Sequence, residues 1–368
     1  MLDLLFYTFT FIVFIQLIYY GFIFAKFAFA KNKNPKQKNI AISVIICAKN
    51  EADNLQQFLP SVIDQEYPEF EIILVNDGSN DNTLEIMEQY ATKYQQIKIV
   101  NVKPIEAFWG NKKYAITLGI KAASNTFLLF TNADCNPLSR NWIKEMSCHF
   151  SNTKSLVIGY GAYKKRKYSL LNKLIRFDTL LTAIQYFSYT KLGIPYMAVG
   201  RNLAYRKEEF FKANGFMSHM AVRSGDDDLF VNQIANSKNT EICFTKDSFT
   251  EAQPVTSYKN WINLKRQKTS TVEHYKTKHK FLLRLFYMSQ LLFWSLGIAL
   301  ILVLFKWKIV ISLVAIRFLF QYISIGKSAK KLSETDTLII LPLLELFLIL
   351  SQLVIFITNL TSKPHHWK

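Results

Sequence analysis

The sequence predicts an α/β domain with a mostly parallel sheet, carried between apolar helices at both ends of the chain. Three observations carry that expectation. Between about residues 40 and 280, short apolar runs of strand length alternate with amphipathic segments of helix length, the rhythm of βαβ units. From Leu4 to Ala30 the chain is apolar and interrupted only by Lys26. Three more apolar stretches, Phe286–Phe305, Ile309–Ile325 and Leu338–Leu360, cluster at the carboxyl end.

Composition agrees. The 368 residues carry 45 Lys+Arg against 27 Asp+Glu, a net charge of +18, while half are hydrophobic and 20% charged. Mean hydropathy is +0.09, high for a soluble protein. These values exclude a disordered tail, a collagen-like fibre and a small disulfide scaffold. Cys47, Cys135, Cys148 and Cys243 are scattered without a CxxC pair, so neither a zinc site nor a disulfide framework is indicated.

Residues 1–30 are read as a transmembrane anchor, since roughly 20 apolar residues cross a hydrocarbon core. A cleaved signal would begin with a basic region. Here the start is Met1-Leu2-Asp3, and the positive charge follows the apolar run as Lys31, Lys33, Lys36 and Lys38. This pattern places the amino terminus outside and the body in the cytoplasm; the membrane itself is expected to be a bacterial inner (cell) membrane. Residues 281–368 form a second helical membrane region. Three crossings there put Lys327, Lys330 and Lys331 inside, in keeping with the positive-inside rule, although Lys306-Trp307-Lys308 then faces outward against it. Arg317 and Glu345 lie within apolar segments and are expected to pair. Four apolar segments with few internal charges and no inverted repeat fit a transporter poorly.

Within the body, strands are expected at Ser43–Cys47, Glu71–Val75, Ile97–Val102 and Phe127–Phe130, with helices at Glu51–Ile63 and Asn82–Tyr94. Open α/β sheets bind ligands at the carboxyl ends of their strands. Those ends carry Ala48-Lys49-Asn50-Glu51, Asn76-Asp77-Gly78-Ser79 and Thr131-Asn132-Ala133-Asp134, and further on stands Gly225-Asp226-Asp227-Asp228-Leu229. Any one of these reads as a turn or a helix cap. Their ordered recurrence at strand ends of one domain points to a site.

These four motifs, with Gly200-Arg201-Asn202-Leu203-Ala204-Tyr205-Arg206, resemble the family 2 glycosyltransferases over about Ile40 to Lys280. The resemblance implies a GT-A fold and an inverting sugar transfer from a nucleotide-sugar donor, UDP-linked. It implies a lipid or lipid-linked glycan acceptor of the cell envelope. By resemblance Asp77 binds the uracil, Glu51 frames the base, and Asp134 ends the DxD motif that holds Mg²⁺ or Mn²⁺ on the diphosphate. Hard carboxylate and phosphate oxygens suit these ions. The general base falls in the acidic run, at Asp227 or Asp226 depending on the alignment, and Arg201 and Asn202 line the acceptor side.

Two departures stand out. Asn132 occupies the first DxD position. The QxxRW motif is absent, the region reading Trp261-Ile262-Asn263-Leu264-Lys265-Arg266-Gln267-Lys268. There Arg266 is the candidate for the diphosphate and Trp261 for the acceptor. Lys112 and Lys113, after Gly110-Asn111, are candidates to approach the nucleotide, Lys113 being assigned to the donor. Tyr163–Tyr189, rich in Lys, Arg and Leu, is expected to form a basic amphipathic helix on an anionic membrane face. Without a recognition fold beside it, nucleic acid is set aside as a partner. The expected alternative to an enzyme is a non-catalytic relative that binds nucleotide sugar or scaffolds glycan assembly.

Overall fold

The computed structural model describes residues 1–32, 35–103, 112–222 and 224–361. Lys33, Gly110 and Asn111 of the sequence reading lie outside them, as does the chain end 362–368. The chain begins with α1 (Leu2–Ile18), a π-helical turn (Tyr19–Ile23) and α2 (Ala25–Ala28). Then come β1 (Ile42–Ala48), α3 (Ala52–Ile63), β2 (Phe70–Asn76), α4 (Thr83–Lys93) and β3 (Ile97–Asn101). They are followed by α5 (Lys112–Ala122), β4 (Phe127–Asn132), β5 (Cys135–Pro137), α6 (Trp142–Ser147), β6 (Leu156–Ile158), β7 (Gly161–Tyr163) and α7 (Leu170–Lys191). After β8 (Leu203–Arg206), α8 (Lys207–Lys212), α9 (Asp228–Ile234), β9 (Thr240–Ile242) and β10 (Thr250–Ala252) come four helices. These are α10 (Tyr258–Val272), α11 (Thr277–Leu302), α12 (Trp307–Lys331) and α13 (Leu341–Thr361).

Two compact units result. One comprises Asn32–Lys164 and Gly193–Pro254, the other Met1–Lys31, Lys165–Leu192 and Val255–Lys368. The stretch expected as one domain over 40–280 is therefore divided: α7 and α10 belong to the helical unit.

In the α/β unit, the described residues form a seven-stranded sheet ordered β3-β2-β1-β4-β8-β6-β9. The strands β3, β2, β1 and β4 are mutually parallel, and β8 runs antiparallel between β4 and β6. The central β1 and β4 are nearly continuous apolar runs because both faces are covered, whereas Lys98 interrupts the edge strand β3. On one face Val44, Ile46, Ile72 and Leu74 join a core with Leu55, Leu59 and Val62 of α3 and Ile86 and Met87 of α4. On the other, α5 comes so close that a Cβ on Gly119 would stand 2.8 Å from Val75 Cγ2. A small second sheet, β5-β10-β7, has strands of three residues each, too short to show as apolar runs.

The helical unit holds four segments long and apolar enough to cross a membrane: Leu2–Ala28, Thr277–Leu302, Trp307–Lys331 and Thr335–Thr361. Asp3 pairs with Lys306 at one end of α1 and α12, and Lys331 donates to the carbonyls of Phe27 and Ala30 at the other, so these two helices run parallel. Arg317 and Glu345 do pair, inside a buried set with Gln16, Tyr20, Gln290 and Gln321. The expected surface helix over Tyr163–Tyr189 is corrected. Residues 164–168 lie exposed before α7, whereas α7 buries Leu174, Ile175, Arg176, Phe177, Leu180 and Leu181. Arg176 is drawn inward because Glu334 and Asp336 receive its guanidinium.

Candidate active site

Strand register brings the signature residues to one edge. Cys47 pairs with Asn132, Ala48 with Asn76, and Asn76 with Asn101, so β1, β2, β3 and β4 end level. Glu51, Asp77 and Asp134 follow directly. The antiparallel β8 starts at that edge too, since Leu203 pairs with Phe130, and Gly200-Arg201-Asn202 lead into it.

The turns after β1 and β2 are tied together. Asn50, at φ +56°, accepts from the Asn80 amide at 2.8 Å and donates its own amide to Ser79 Oγ at 3.0 Å. The Glu51 amide donates to Thr83 Oγ1 at 2.8 Å, and the Asp77 amide to the Ala48 carbonyl at 2.9 Å. Burial pushes the carboxyls of Glu51 and Asp77 up. For Glu51, the Asn54 amide opposes this and the charges of Asp134 and Asp81 add to it; for Asp77, Lys49 and Lys112 oppose it. Glu51 and Asp134 are thus electrostatic neighbours across the ends of β1 and β4.

Beside them lies a small, open recess. Ile45, Cys47, Lys112, Asn132, Gly200, Tyr205, Asp226 and Asp227 contribute to its lining, whereas Glu51, Asp77 and Asp134 do not. Gly225 adopts φ +97°, and a Cβ there would stand 2.4 Å from Leu229 Cδ1, so the turn that delivers the acidic run requires glycine.

The three aspartates then diverge. Asp227 caps α9, accepting the Asp228 amide at 2.8 Å through Oδ1 and the Gly200 amide at 2.6 Å through Oδ2. Asp228 is buried and accepts the Leu229 amide. Asp226 meets Lys112 Nζ at 3.1 Å, and the same ammonium lies 3.4 Å from Asn132 Oδ1. Burial opposes the charge on both partners, but their pairing prevails. The Asp226 carboxyl stays below its ordinary range, and the Lys112 ammonium titrates above its own.

Other candidates have different surroundings. Lys113 is buried and donates to the carbonyls of His219 and Val222, each at 2.7 Å; burial lowers it to about 8 against the nearby aspartates. Of the two adjacent lysines it is Lys112 that faces the recess. Asn202 has no exposed surface: its amide donates to the Tyr160 and Ser248 carbonyls and accepts from Trp142 Nε1. Arg201 donates to the Gly161 and Ala162 carbonyls and lies 4.2 Å from the Tyr163 ring, within the field of Asp134. In the helical unit, Trp261 is buried against Tyr258, and Arg266 Nε donates to Asn359 Oδ1 at 2.8 Å. Lys112, a candidate together with Lys113 in the sequence, lines the recess, whereas Cys47 and Tyr205 of its lining carried no expected role; helical phase at the start of α5 was the signal that could have separated the two lysines.

Among the described residues, no group of three or more His, Cys, Asp or Glu could form a protein-only metal cage. Asp134 is a hard oxygen donor at the strand end, and this donor set fits a cation held by one carboxylate and completed by phosphate oxygens.

Residues 43–224 match the family model described as Glycosyl transferase family 2. The glycosyltransferase AglE of Haloferax volcanii is 34% identical over 120 residues, 32% of this chain and 38% of that protein. The poly-beta-1,6-N-acetyl-D-glucosamine synthase of Staphylococcus epidermidis is 39% identical over 93 residues, 25% of this chain and 21% of that one. The matched segments thus span well under half of those curated relatives. The mannosyltransferase PcManGT of Pyrobaculum calidifontis, solved with GDP-Man and Mn²⁺, superposes with a TM-score of 0.59. It covers 90% of this chain and 99% of its own at 17% identity, a likeness of fold.

Proposed function

Because the chain belongs to glycosyl transferase family 2, we propose that it transfers a sugar from a nucleoside diphosphate sugar to a hydroxyl acceptor, with inversion at the anomeric carbon. The observation that carries this reading is Asp226, a carboxylate held ionised in a recess at the strand edge that also bears Asp77 and Asp134. Asp226 is the better base of the two candidates. Asp227 spends both oxygens on the backbone amides of other residues, whereas Asp226 accepts its own amide and meets the Lys112 ammonium.

The donor base is assigned to Asp77 and Glu51. Asp134 would hold Mg²⁺ or Mn²⁺, which when bound offsets negative charge on the departing diphosphate. Lys112 is a natural second partner for that diphosphate. When the phosphate draws Lys112 away, Asp226 loses the cation that suppresses its proton affinity and becomes a stronger base. Donor arrival and base activation are thereby linked.

The four apolar spans support a membrane-bound enzyme acting on a lipid or lipid-linked glycan. Lysines at one end of α12 support a cytoplasmic site. Neither Asn202 nor Lys113 keeps a substrate role in this reading, since both side chains are committed to the protein's own backbone.

The test is release of nucleoside diphosphate from UDP- and GDP-sugars by the purified full-length protein in nanodiscs with Mn²⁺ or Mg²⁺. Asp226→Asn is expected to lose about 10²–10⁴-fold in turnover while still binding nucleotide. Full turnover by that variant removes Asp226 as the base. Nucleotide binding by the wild type with no turnover on any donor favours the scaffold.

A further inference from the structure

We propose that the exposed segment Lys165–Leu170, with the basic end of the helical unit beside it, is a docking surface for anionic phospholipid headgroups. Residues 165–168 are all exposed, a run of Lys-Arg-Lys-Tyr. Tyr168 is fully solvent-exposed at φ +60°, a backbone region that tyrosine rarely adopts, and Leu170 is 64% exposed. An aromatic and a leucine projecting beside consecutive cations is the composition of an interfacial anchor, whose ring and apolar side chain enter the headgroup boundary.

Position makes the occupant a lipid. Lys165 Nζ donates to the Ser333 carbonyl at 2.7 Å and to Asp336 Oδ1 at 3.0 Å, which fixes the segment beside the turn following α12. That is the end of the bundle where α12 presents Lys327 and Lys330, and where Lys327 sits 4.0 Å from the Phe29 ring at the exit of the first apolar span. At the opposite end stand Lys306, which is paired with Asp3, and Lys308.

Charge is left in excess. Glu334 and Asp336, the acids of that turn, already receive Arg176, and Asp336 also receives Lys165. Among the described residues, none of Arg166, Lys167, Lys173, Lys327 and Lys330 pairs with a carboxylate. Five cations without acids, at the level where an apolar span ends, meet a phosphate layer in an anionic leaflet. A nucleic acid or an acidic protein offers the same charge, but neither explains why the cations collect at a span's end with an outward Tyr and Leu.

The test is hydrogen exchange by mass spectrometry on the full chain in nanodiscs of phosphatidylcholine, alone or mixed with phosphatidylglycerol, at low and high NaCl. Each basic residue at an anionic surface contributes roughly fivefold in affinity. Exchange at the amides of Lys167–Leu170 is therefore expected to slow by about tenfold or more in the anionic discs, with the protection lost at high salt. The triple variant Arg166→Gln, Lys167→Gln, Lys173→Gln should lose that protection while exchange within α7 stays as in the wild type. A variant whose α7 exchange changes is replaced by Tyr168→Ser with Leu170→Ser, which is expected to reduce protection in the same way. Equal exchange in both lipid compositions overturns the proposal, as does protection that survives salt and substitution.

Discussion

Replacing Arg317 with leucine leaves Glu345 as a carboxylate inside four apolar helices with no cation. Arg317 stands 10 residues after Trp307 and 14 before Lys331, roughly 15 Å and 21 Å along the axis at 1.5 Å per residue, near the middle of the span. Both side chains are buried, with relative exposures of 0% and 2%. In the leucine variant Glu345 keeps only neutral donors, among them the Tyr20 hydroxyl at 3.1 Å, Gln290 Nε2 at 2.8 Å and the Gln321 amide. Gln16 Oε1 and Gln321 Oε1 each lose a guanidinium donor. Breaking a buried pair from one side costs about 3–5 kcal/mol, whereas replacing both partners by apolar groups is often neutral or better.

The expected result is therefore strongly non-additive. Arg317→Leu and Glu345→Leu each lose about 3–5 kcal/mol, and the double variant loses far less than their sum. Equilibrium unfolding in mixed micelles of mild detergent and dodecyl sulfate, followed by circular dichroism, measures all four corners of the cycle. Single losses below about 1 kcal/mol, or a double variant equal to the sum, would refute the claim that these charges are held out of water by one another.

Three further outcomes follow from the site. Lys112→Met removes the cation that holds the Asp226 carboxyl below its ordinary range; with the carboxylate then titrating higher, the acid limb of the kcat/KM profile should move to higher pH. An unmoved limb dissociates Lys112 from the base. Asn202→Ala strands Trp142 Nε1 and the Tyr160 and Ser248 carbonyls, each unsatisfied group costing about 1–3 kcal/mol, so the melting temperature should fall while acceptor KM in the surviving folded fraction stays unchanged. A raised KM at unchanged stability would return Asn202 to the acceptor. Gly225→Ala forces a Cβ toward Leu229 at φ +97° and should cost turnover well beyond its effect on nucleotide affinity, measured by titration calorimetry.

The four parallel strands β1–β4 were legible because each is mostly apolar, and their turns because Asp, Asn and Gly follow where a parallel sheet must end; the short β6, β8 and β9 of the same sheet were not. Arg317 and Glu345 were legible as a pair because an apolar segment gives each charge few other partners. Less accessible was anything decided by direction around a helix. Lys112 and Lys113 are chemically alike and adjacent, yet about 100° of helical rotation sends one to the recess and the other to the His219 and Val222 carbonyls. α7 shows the same difficulty: Lys173 and Arg176 look like a solvated face until Glu334 and Asp336, more than 150 residues away, supply carboxylate partners for the buried Arg176. The three-residue strands of the second sheet carry no periodicity to detect.

Asn132 gains a physical meaning from these contacts. Its Oδ1 lies 3.4 Å from Lys112 Nζ, the ammonium that also meets Asp226 at 3.1 Å. An aspartate at 132 would set two carboxylates competing for one cation, beside a strand edge that already carries Glu51, Asp77 and Asp134. Like charges so placed raise each other's proton affinity, and the ammonium would be shared. With a neutral amide there, Lys112 is committed to Asp226 by charge and to Asn132 only by a long hydrogen bond, so in the proposed mechanism a diphosphate would displace a single ion pair. Asparagine at 132 thus removes a competitor for Lys112 and leaves Asp134 as the carboxylate of that turn, in keeping with the proposal that the donor governs the charge on Asp226.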